Sequence, residues 1–311
     1  MKMDINKPDF KIFQKKYKSG KNQLLYLSFA ADVHTPVSVL MKLKKEKYKF
    51  LFESVEKGSQ KGRYSVIGLK PDIIWKCRNH SCSFKDLNQS KKIQETSQKP
   101  LNSLKKLMDE NKLELPNNIP SIATGLFGYM GYEMIQHFEN IKLNKKNVLD
   151  LPDSIFIRPS LTLVFDNVND KLFITKLVCK NNLEPKDSFE KAKREIYKLI
   201  NKISKPISKD NFSSLHIKKK IDIFKNVKSN TSFSQFKLMV KKAKKYIYEG
   251  EIFQVVLSRV FKKKINTDSL SIYRALRYLN PSPYLFFMSF ENFTIVGSSP
   301  EILIKLEGKK V

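Results

Sequence analysis

GEIFQVVLSRVF (250–261) opens the stretch of sequence that decides the fold, and NPSPYLFFM (280–288) and SSPEILIKLEG (298–308) follow it. The helical apolar spacing that precedes this stretch ends at Gly250, and glycine commonly terminates helices. We expect the next segment to be a strand that carries Gln254 and Ser258. The prolines of the second segment predict a stiff turn into a hairpin, and that hairpin projects Glu301.

The sequence on either side of this stretch mixes strand and helix patterns. Apolar alternation and apolar runs predict strands at 49–55, 63–68, 73–78, 82–85, 123–133, 160–166 and 171–178. Helical spacing predicts helices at 36–49, at 101–112, from Asp187-Ser188 to about Ile203, and from a capping box of Ser232 and Gln235 to Gly250. Antiparallel strands with helices outside define the α+β class. We therefore predict an α+β fold in which antiparallel strands dominate and the helices lie outside.

A weakly patterned segment rich in Lys and Ser divides the chain at 205–230. We predict an N-terminal α+β region at 1–204, a connector at 205–230 and a second region at 231–311. The second region closes on the turn residues 307–310, where a return strand is expected to start. We therefore expect the sequence to be cut inside a hairpin.

Composition limits the functions that the chain can have. Its 311 residues carry a formal net charge of +29, but the lysines are spread along the whole length and only seven residues are arginine. Arginine is the residue that binds guanine and phosphate bidentately, so no nucleic-acid interface is expected, although the charge would attract small anionic substrates. No window approaches the roughly 18 apolar residues of a membrane helix, and no apolar signal region starts the chain. We expect no membrane partner and a cytoplasmic location.

LFES (51–54) ends an apolar strand just before a basic loop. A carboxylate beside a hydroxyl, here Glu53 with Ser54, can bind an ammonium group and fix its orientation. A solvated strand end is the alternative on this segment alone. Arg63, where the next strand begins, is a partner for a carboxylate ligand or simply for Glu53.

The proline-rich turn and the residues after it offer further polar groups. Pro281 and Pro283 fix φ and lack N–H donors, so nearby carbonyl groups need a donor from a ligand or a neighbour. Such a turn recognises an amine, or it is only a stiff corner. A carboxylate that a sheet projects into a cavity, as at Glu301, can act as a general acid or hold a leaving hydroxyl. The amide of Gln254 can hydrogen-bond a substrate but cannot act as a general base.

Other motifs carry less chemistry. The glycines of GLFGYMGYE (125–133) lie three apart with no helix start after the first, which favours a packed strand over a nucleotide loop. The three cysteines lack the spacing of a disulfide framework, and the chain shows no set of metal ligands.

Six ordered segments together resemble one family: LFES, RYSVIG, GLFGYMGYE, GEIFQVVLSR, NPSPYLFFM and SSPE. From about Leu51 to its last residue the chain resembles anthranilate synthase component I, one of the chorismate-utilising enzymes. The resemblance implies that chorismate and ammonia, or glutamine through a glutamine amidotransferase partner subunit (component II), become anthranilate and pyruvate in the first step of tryptophan biosynthesis. It also implies Mg²⁺ as cofactor and feedback inhibition by L-tryptophan. The fold that the resemblance implies is an antiparallel-sheet sandwich with outer helices, incomplete at the C-terminus in this chain.

The resemblance also assigns residues, position by position. It assigns tryptophan binding to Glu53, Ser54, Pro283, Tyr284 and Leu285. It makes Glu301 the active-site glutamate near the chorismate hydroxyl that is lost, and Gln254 a residue that positions the substrate. Regulatory elements then fall in 1–204, and the chorismate-binding catalytic region begins in 231–311. Many family members have Leu at the position of Phe52 and Met at that of Leu285, and both changes keep an apolar wall.

Gln254 narrows the choice within the superfamily, because isochorismate and salicylate synthases place a lysine there. Aminodeoxychorismate synthase shares the glutamine and remains the closest alternative, although it usually lacks the NPSPY wording. Family members continue with GTRxRG-like and DLARND-like segments and further glutamates, which none of these 311 residues supplies. We therefore expect the Mg²⁺ ligands beyond Val311 and an inactive fragment. A non-catalytic amino-acid-binding module is the alternative from a different class.

Overall fold

A computed structural model describes residues 7–54, 62–87, 93–96, 98–141, 143, 149–207, 225–306 and 308. Its α-helices are α1 Phe10–Lys18, α2 Pro36–Lys42, α3 Pro100–Glu110, α4 Pro185–Ile203, α5 Phe233–Tyr248 and α6 Ser269–Leu279. Its strands are β1 Gln23–Ala30, β2 Lys49–Glu53, β3 Tyr64–Arg78, β4 Ser81–Asp86, β5 Gln94–Thr96, β6 Phe127–Met130, β7 Ser154–Asp166, β8 Lys171–Val178, β9 Lys228–Ser229, β10 Phe261–Lys262, β11 Tyr284–Phe290 and β12 Phe293–Ser299. Within this described part, no helix is long and apolar enough to cross a membrane.

Two compact units make up the chain. One unit comprises Met1–Asn211 and Ser269–Val311, and the other comprises Phe212–Asp268. The hairpin β11–β12 therefore pairs with the N-terminal sheet, although residues 212–268 of the intervening sequence belong to the other unit. The functional division predicted at 204 and 231 stays a prediction, and most of the predicted connector, 208–224, lies outside the described residues.

A ten-stranded antiparallel sheet organises the first unit. Seven of its strands follow the order β1-β8-β7-β3-β2-β11-β12. The long strands β3 and β7 pair along almost their whole length, with a register shift between Pro71 and Ile73. On its other side β3 pairs first with β2 and then with β4, and β7 pairs first with β6 and then with β8. These two strands thus hold both halves of the sheet together.

The strands of this sheet bury apolar side chains on both faces, because successive side chains point to opposite sides. Leu25 and Leu51 lie in the cluster that α1, α2, α4 and α6 cover. Phe50 and Val66 lie in the cluster on the opposite face. A third cluster around Trp75 packs against α3. The helices of the first unit are therefore outer helices, and the α+β class of the prediction is confirmed.

The second unit contains α5 and the two-stranded ladder of β9 and β10. The predicted capping box is confirmed, since the Gln235 N–H donates to Ser232 Oγ at 3.2 Å and the Ser232 N–H donates to Gln235 Oε1 at 2.9 Å. Gly250 adopts a φ of +76°, which confirms that the helix ends there. No residue of α5 is buried.

Most of the other predicted elements are present with changed bounds. The hairpins β3–β4 and β7–β8 form around the predicted turns. The segments 63–68 and 73–78 are one strand instead of two, because the irregularity at Pro71 absorbs the proline without ending the ladder. The helix predicted over 36–49 ends at Lys42, and α4 is preceded by Glu184 as N-cap instead of starting at Asp187.

The strand predicted for Gln254 and Ser258 is wrong. Residues 252–260 have no strand assignment, and β10 begins only at Phe261. A strand requires a neighbouring backbone for its hydrogen bonds, and the ladder with β9 covers two residue pairs. Phe253 and Val256 are largely exposed there. The apolar run alone did not reveal that, among the described residues, this segment pairs with no strand before Val260, whose carbonyl accepts from the Asn230 N–H at 3.2 Å. After β12, residues 300–306 have no strand assignment.

Candidate ligand site at Glu53

Glu53 is the last residue of β2, a strand between β3 and β11. Alternation along KFLFE places Glu53 on the same face as Leu51, which is the face that α6 covers. Leu285 of β11 lies directly opposite Glu53 in the ladder. The side chain of Glu53 is only 2% exposed. The alternative of a solvated strand end is therefore wrong, and Glu53 is a buried carboxylate that requires partners.

Two side chains of α6 supply those partners. The Tyr273 hydroxyl donates to Glu53 Oε2 at 2.7 Å, and Arg277 Nε donates to Glu53 Oε1 at 2.7 Å. Tyr273 and Arg277 are four residues apart, so they lie on the same side of the helix. Burial, and after it the charge of Glu53, raises the pKa of the Tyr273 phenol far above its ordinary value. Tyr273 is therefore a fixed neutral donor to the carboxylate.

Sequence reasoning missed both partners. It offered Arg63 as a partner for a carboxylate ligand or for Glu53, but Arg63 binds Asp166 at 3.2 Å and lies over the ring of Tyr64. The pairing of Glu53 with Arg63 is thus wrong. One signal was available, because YRALR (273–277) lies in the last turns of the helix that leads into the proline-rich turn. Its Tyr and Arg at helical spacing could have been assigned to one face.

Ser54 follows Glu53 and is half-buried. Gly62 lies against it, because a Cβ built on Gly62 would stand 2.0 Å from Ser54 Cβ. Any residue larger than glycine at 62 would push Ser54 away. The basic loop that the sequence places between them, 55–61, lies outside the described residues.

The proline-rich turn joins α6 to β11 and so connects the two elements that hold Glu53. Its Asn280 carbonyl accepts a hydrogen bond from Ser298 Oγ at 2.8 Å, so a neighbour supplies one of the donors that the turn needs. Ser282 is buried, and its Oγ accepts from the Tyr284 N–H at 3.3 Å. The turn is a hydrogen-bonded corner that fixes where β11 starts.

The structure brings the five predicted tryptophan-binding residues to two adjacent strand ends. Leu285 is buried on the face of Glu53, Pro283 is half-buried, and Tyr284 is 42% exposed. Alternation turns the Tyr284 side chain to the opposite face from Leu285. The Glu53 face therefore offers a carboxylate with an apolar wall.

The two predicted catalytic residues belong to different units. Glu301 is exposed and follows β12, and its backbone carbonyl accepts a hydrogen bond from Ser299 Oγ at 3.1 Å. Ser299 pairs with Tyr284, so Glu301 continues from the same corner of the sheet as Glu53. Gln254 is exposed and belongs to the second unit. The first unit by itself thus contains the Glu53 site and Glu301 but not Gln254.

No group of three His, Cys, Asp or Glu residues that could hold a metal ion occurs in the described ranges. Mg²⁺ as cofactor, with its ligands expected beyond Val311, stays a prediction.

Comparison with known proteins assigns the class. Residues 48–311 match the family model described as chorismate binding enzyme. The chain belongs to the chorismate binding enzymes.

Individual relatives within this class are similar along most of the chain. Anthranilate synthase component 1 of Cereibacter sphaeroides is 34% identical over 310 residues, which are 97% of this chain and 60% of that protein. Anthranilate synthase component 1 of Acetivibrio thermocellus is 34% identical over 283 residues, 89% of this chain and 56% of that protein. The resemblance that the motifs indicated is confirmed. The chain spans about three fifths of the length of these curated relatives.

Solved structures agree with the fold. The crystal structure of anthranilate synthase component I from Streptococcus pneumoniae TIGR4 matches with a TM-score of 0.63 and 25% identity, covering 90% of this chain and 59% of that chain. MenF, the menaquinone-specific isochorismate synthase from Escherichia coli, matches with a TM-score of 0.50 and 14% identity, over 96% of this chain and 56% of that chain. The second likeness concerns the fold alone.

Proposed function

We propose that this protein contributes to the anthranilate synthase component I reaction and binds L-tryptophan at Glu53. In that reaction chorismate and ammonia, or glutamine-derived ammonia from a component II partner, give anthranilate and pyruvate. The observation that carries the proposal is the buried Glu53 carboxylate opposite Leu285, formed by LFES and NPSPY. The names of the relatives, each a component 1, support the choice of reaction and the partner.

Each proposed tryptophan contact has a physical role. The Glu53 carboxylate binds the α-ammonium group, and Ser54 orients it by a hydrogen bond. Leu285 and Pro283 form an apolar wall for the indole, and burial of its ring contributes most of the affinity. Tyr284 contributes its backbone, because its side chain turns to the other face.

The catalytic roles of Glu301 and Gln254 are part of the same proposal. Glu301 assists departure of the chorismate hydroxyl by donating a proton, and Gln254 hydrogen-bonds the substrate. Ammonia adds to the ring as the hydroxyl leaves, and pyruvate is then eliminated. The cytoplasmic location stays a prediction.

Calorimetry tests the ligand site. Titration of the 311-residue chain with L-tryptophan should give saturable binding, and Glu53→Gln should weaken it about 30-fold or more, because a buried charge loses its partner. Glu291→Gln is the matched control, since Glu291 is a surface carboxylate paired with Lys47. Equal affinity of wild type and Glu53→Gln, both folded, would overturn the site.

A non-catalytic amino-acid-binding module is the second candidate. One observation favours it: the whole Glu53 site lies within the first unit, whereas Gln254 belongs to the other. Fluorescence detection of anthranilate with chorismate, ammonia and Mg²⁺ separates the two. Tryptophan binding without anthranilate, with and without component II, supports the module; formation of aminodeoxychorismate would instead favour the closest alternative enzyme.

A further inference from the structure

Both oxygens of the Glu53 carboxylate accept a hydrogen bond from a side chain of α6. Arg277 Nε binds Oε1 and the Tyr273 hydroxyl binds Oε2, each at 2.7 Å. A guanidinium and a ligand ammonium carry the same charge and donate hydrogen bonds to the same kind of oxygen. An amine that binds to the Glu53 carboxylate therefore competes with the Arg277 guanidinium for the same oxygen.

The exposure of these side chains differs sharply. The Glu53 side chain is 2% exposed, whereas the Arg277 side chain is 38% exposed. A buried carboxylate needs a cationic partner, but a partly exposed arginine can withdraw into water, which solvates its charge. The two cations can thus replace each other without leaving Glu53 uncompensated.

We propose that Arg277 is a positioning and specificity residue that competes with the ligand ammonium for Glu53. This inference rests on the proposed tryptophan site. The incoming α-ammonium replaces Arg277 Nε on Oε1, while Tyr273 keeps Oε2 and holds the carboxylate in place. Arg277 thereby selects for ligands with a free α-amino group, because a ligand without one leaves the arginine on Glu53.

A purely structural ion pair makes the opposite prediction. If Arg277 only fixes α6 against β2, then its removal loosens the site and weakens every ligand. If Arg277 competes, its removal strengthens amine-bearing ligands alone. The comparison of two ligands that differ in the amino group therefore separates competition from structural support.

Calorimetry on the full 311-residue chain is the experiment, with L-tryptophan and its deaminated analogue indole-3-propionate as probes. Arg277→Gln should bind tryptophan about tenfold more tightly than wild type, the equivalent of one exchanged charge-assisted hydrogen bond. Its affinity for indole-3-propionate should not increase. Arg194→Gln, the same charge change at an exposed position of α4, is the control for net charge.

Arg277→Lys guards against a variant that does not fold. It keeps the charge, but the lysine ammonium is more strongly hydrated, so a gain of about threefold for tryptophan alone is expected. Weaker or unchanged tryptophan binding in the folded variants would overturn the inference, as would an equal gain for both probes. Failure of wild type and all variants to bind tryptophan would instead remove the proposed tryptophan site, and the inference with it.

Discussion

Two buried carboxylates of the sheet, Asp72 and Glu53, are both paired with an arginine, and they differ in how that arginine is held. Arg158 binds Asp72 through two bonds of 2.8 Å, and both side chains are almost fully buried. Arg277 binds Glu53 through Nε, and more than a third of its side chain is exposed. We call Asp72 with Arg158 the closed pair and Glu53 with Arg277 the half-open pair. The closed pair supports the fold, whereas the half-open pair allows another cation to replace the arginine on its carboxylate.

The Arg158 nitrogens of the closed pair also have other neighbours that accept hydrogen bonds. Arg158 Nη1 donates to Asn111 Oδ1, and Nη2 lies 3.4 Å from Cys179 Sγ. Burial alone would lower the pKa of the Arg158 guanidinium, but the hydrogen bonds and charge of Asp72 raise it. Burial also raises the pKa of the Cys179 thiol to about 11. Arg158 thus stays charged and paired with Asp72, beside a neutral thiol.

Arg158→Gln breaks the closed pair and should lower the free energy of unfolding more than any other substitution considered. It leaves Asp72 as a buried charge without its bidentate partner, and such losses destabilise proteins by about 3–5 kcal/mol. Urea unfolding measures the change in free energy. Arg78→Gln is the matched control, since the pair of Arg78 with Asp150 is exposed and worth at most about 1 kcal/mol. Similar losses in both variants would contradict the structural role of the closed pair.

Tyr273→Phe should cause the next largest loss in the free energy of unfolding. The substitution keeps the ring but removes the donor to a charged and buried oxygen, a hydrogen bond worth about 1.5–3 kcal/mol. The same urea titration measures the loss, with Tyr284→Phe as control on an exposed ring. A loss no greater than that of the control would show that the hydroxyl does not hold Glu53.

Arg277→Gln should reduce the free energy of unfolding by only about 1 kcal/mol. Glu53 is as buried as Asp72, but it loses one bond from its arginine instead of two and keeps the hydrogen bond from Tyr273, so less is lost than in Arg158→Gln. The direct comparison with Arg158→Gln sharpens the contrast between the pairs. Equal losses would mean that both arginines are fixed, which would make exchange at Glu53 implausible.

Asp166 with Arg63 forms a third pair whose arginine is still more exposed, and its effect appears only in acid. Burial would raise the pKa of Asp166, but hydrogen bonds from Asn169, Arg63 and the backbone of Asn169 and Val168 bring it below its ordinary 3.8. The unfolded chain therefore takes up the proton first as pH falls. The contribution of Asp166 to stability should be complete above about pH 4 and be lost below it.

Urea unfolding between pH 6 and 2.5 checks this prediction. Asp166→Asn should show a shallower fall in stability toward acid than wild type does. An identical slope in the two proteins would contradict it.

The sequence predicted the local elements well because their causes are local. The β7–β8 hairpin follows from two alternating segments and a short turn, and the start of α5 follows from the capping box. Glu53 and Leu285 were predicted to share a ligand site only through the family resemblance. Pairing between strands so far apart in sequence has no local signal, so neither the register nor the burial of Glu53 was predictable. The partners on α6 were missed for the same reason.

The strand that was wrongly predicted at 252–260 shows that a local apolar pattern is not sufficient for a strand. Its apolar run fits a strand, but strand formation depends on a neighbour elsewhere in the chain. Lys70 and Pro71 show that a local pattern can also divide one strand into two. A proline here predicts a strand end, but an irregular pairing accommodates it inside the long strand β3.

The pairing of β2 with β11 also dictates when the protein can fold during synthesis. Leu285 joins Glu53 across roughly 230 residues, and a ribosome adding about 5–20 residues per second needs about 10 to 50 seconds to make that interval. Until then the backbone N–H and C=O groups on one edge of β2 are unpaired, and this strand, which contains two phenylalanines, can pair with other chains. Nascent chains should therefore depend on a chaperone until residue 290 has left the ribosome, and a pause before that point should increase aggregation.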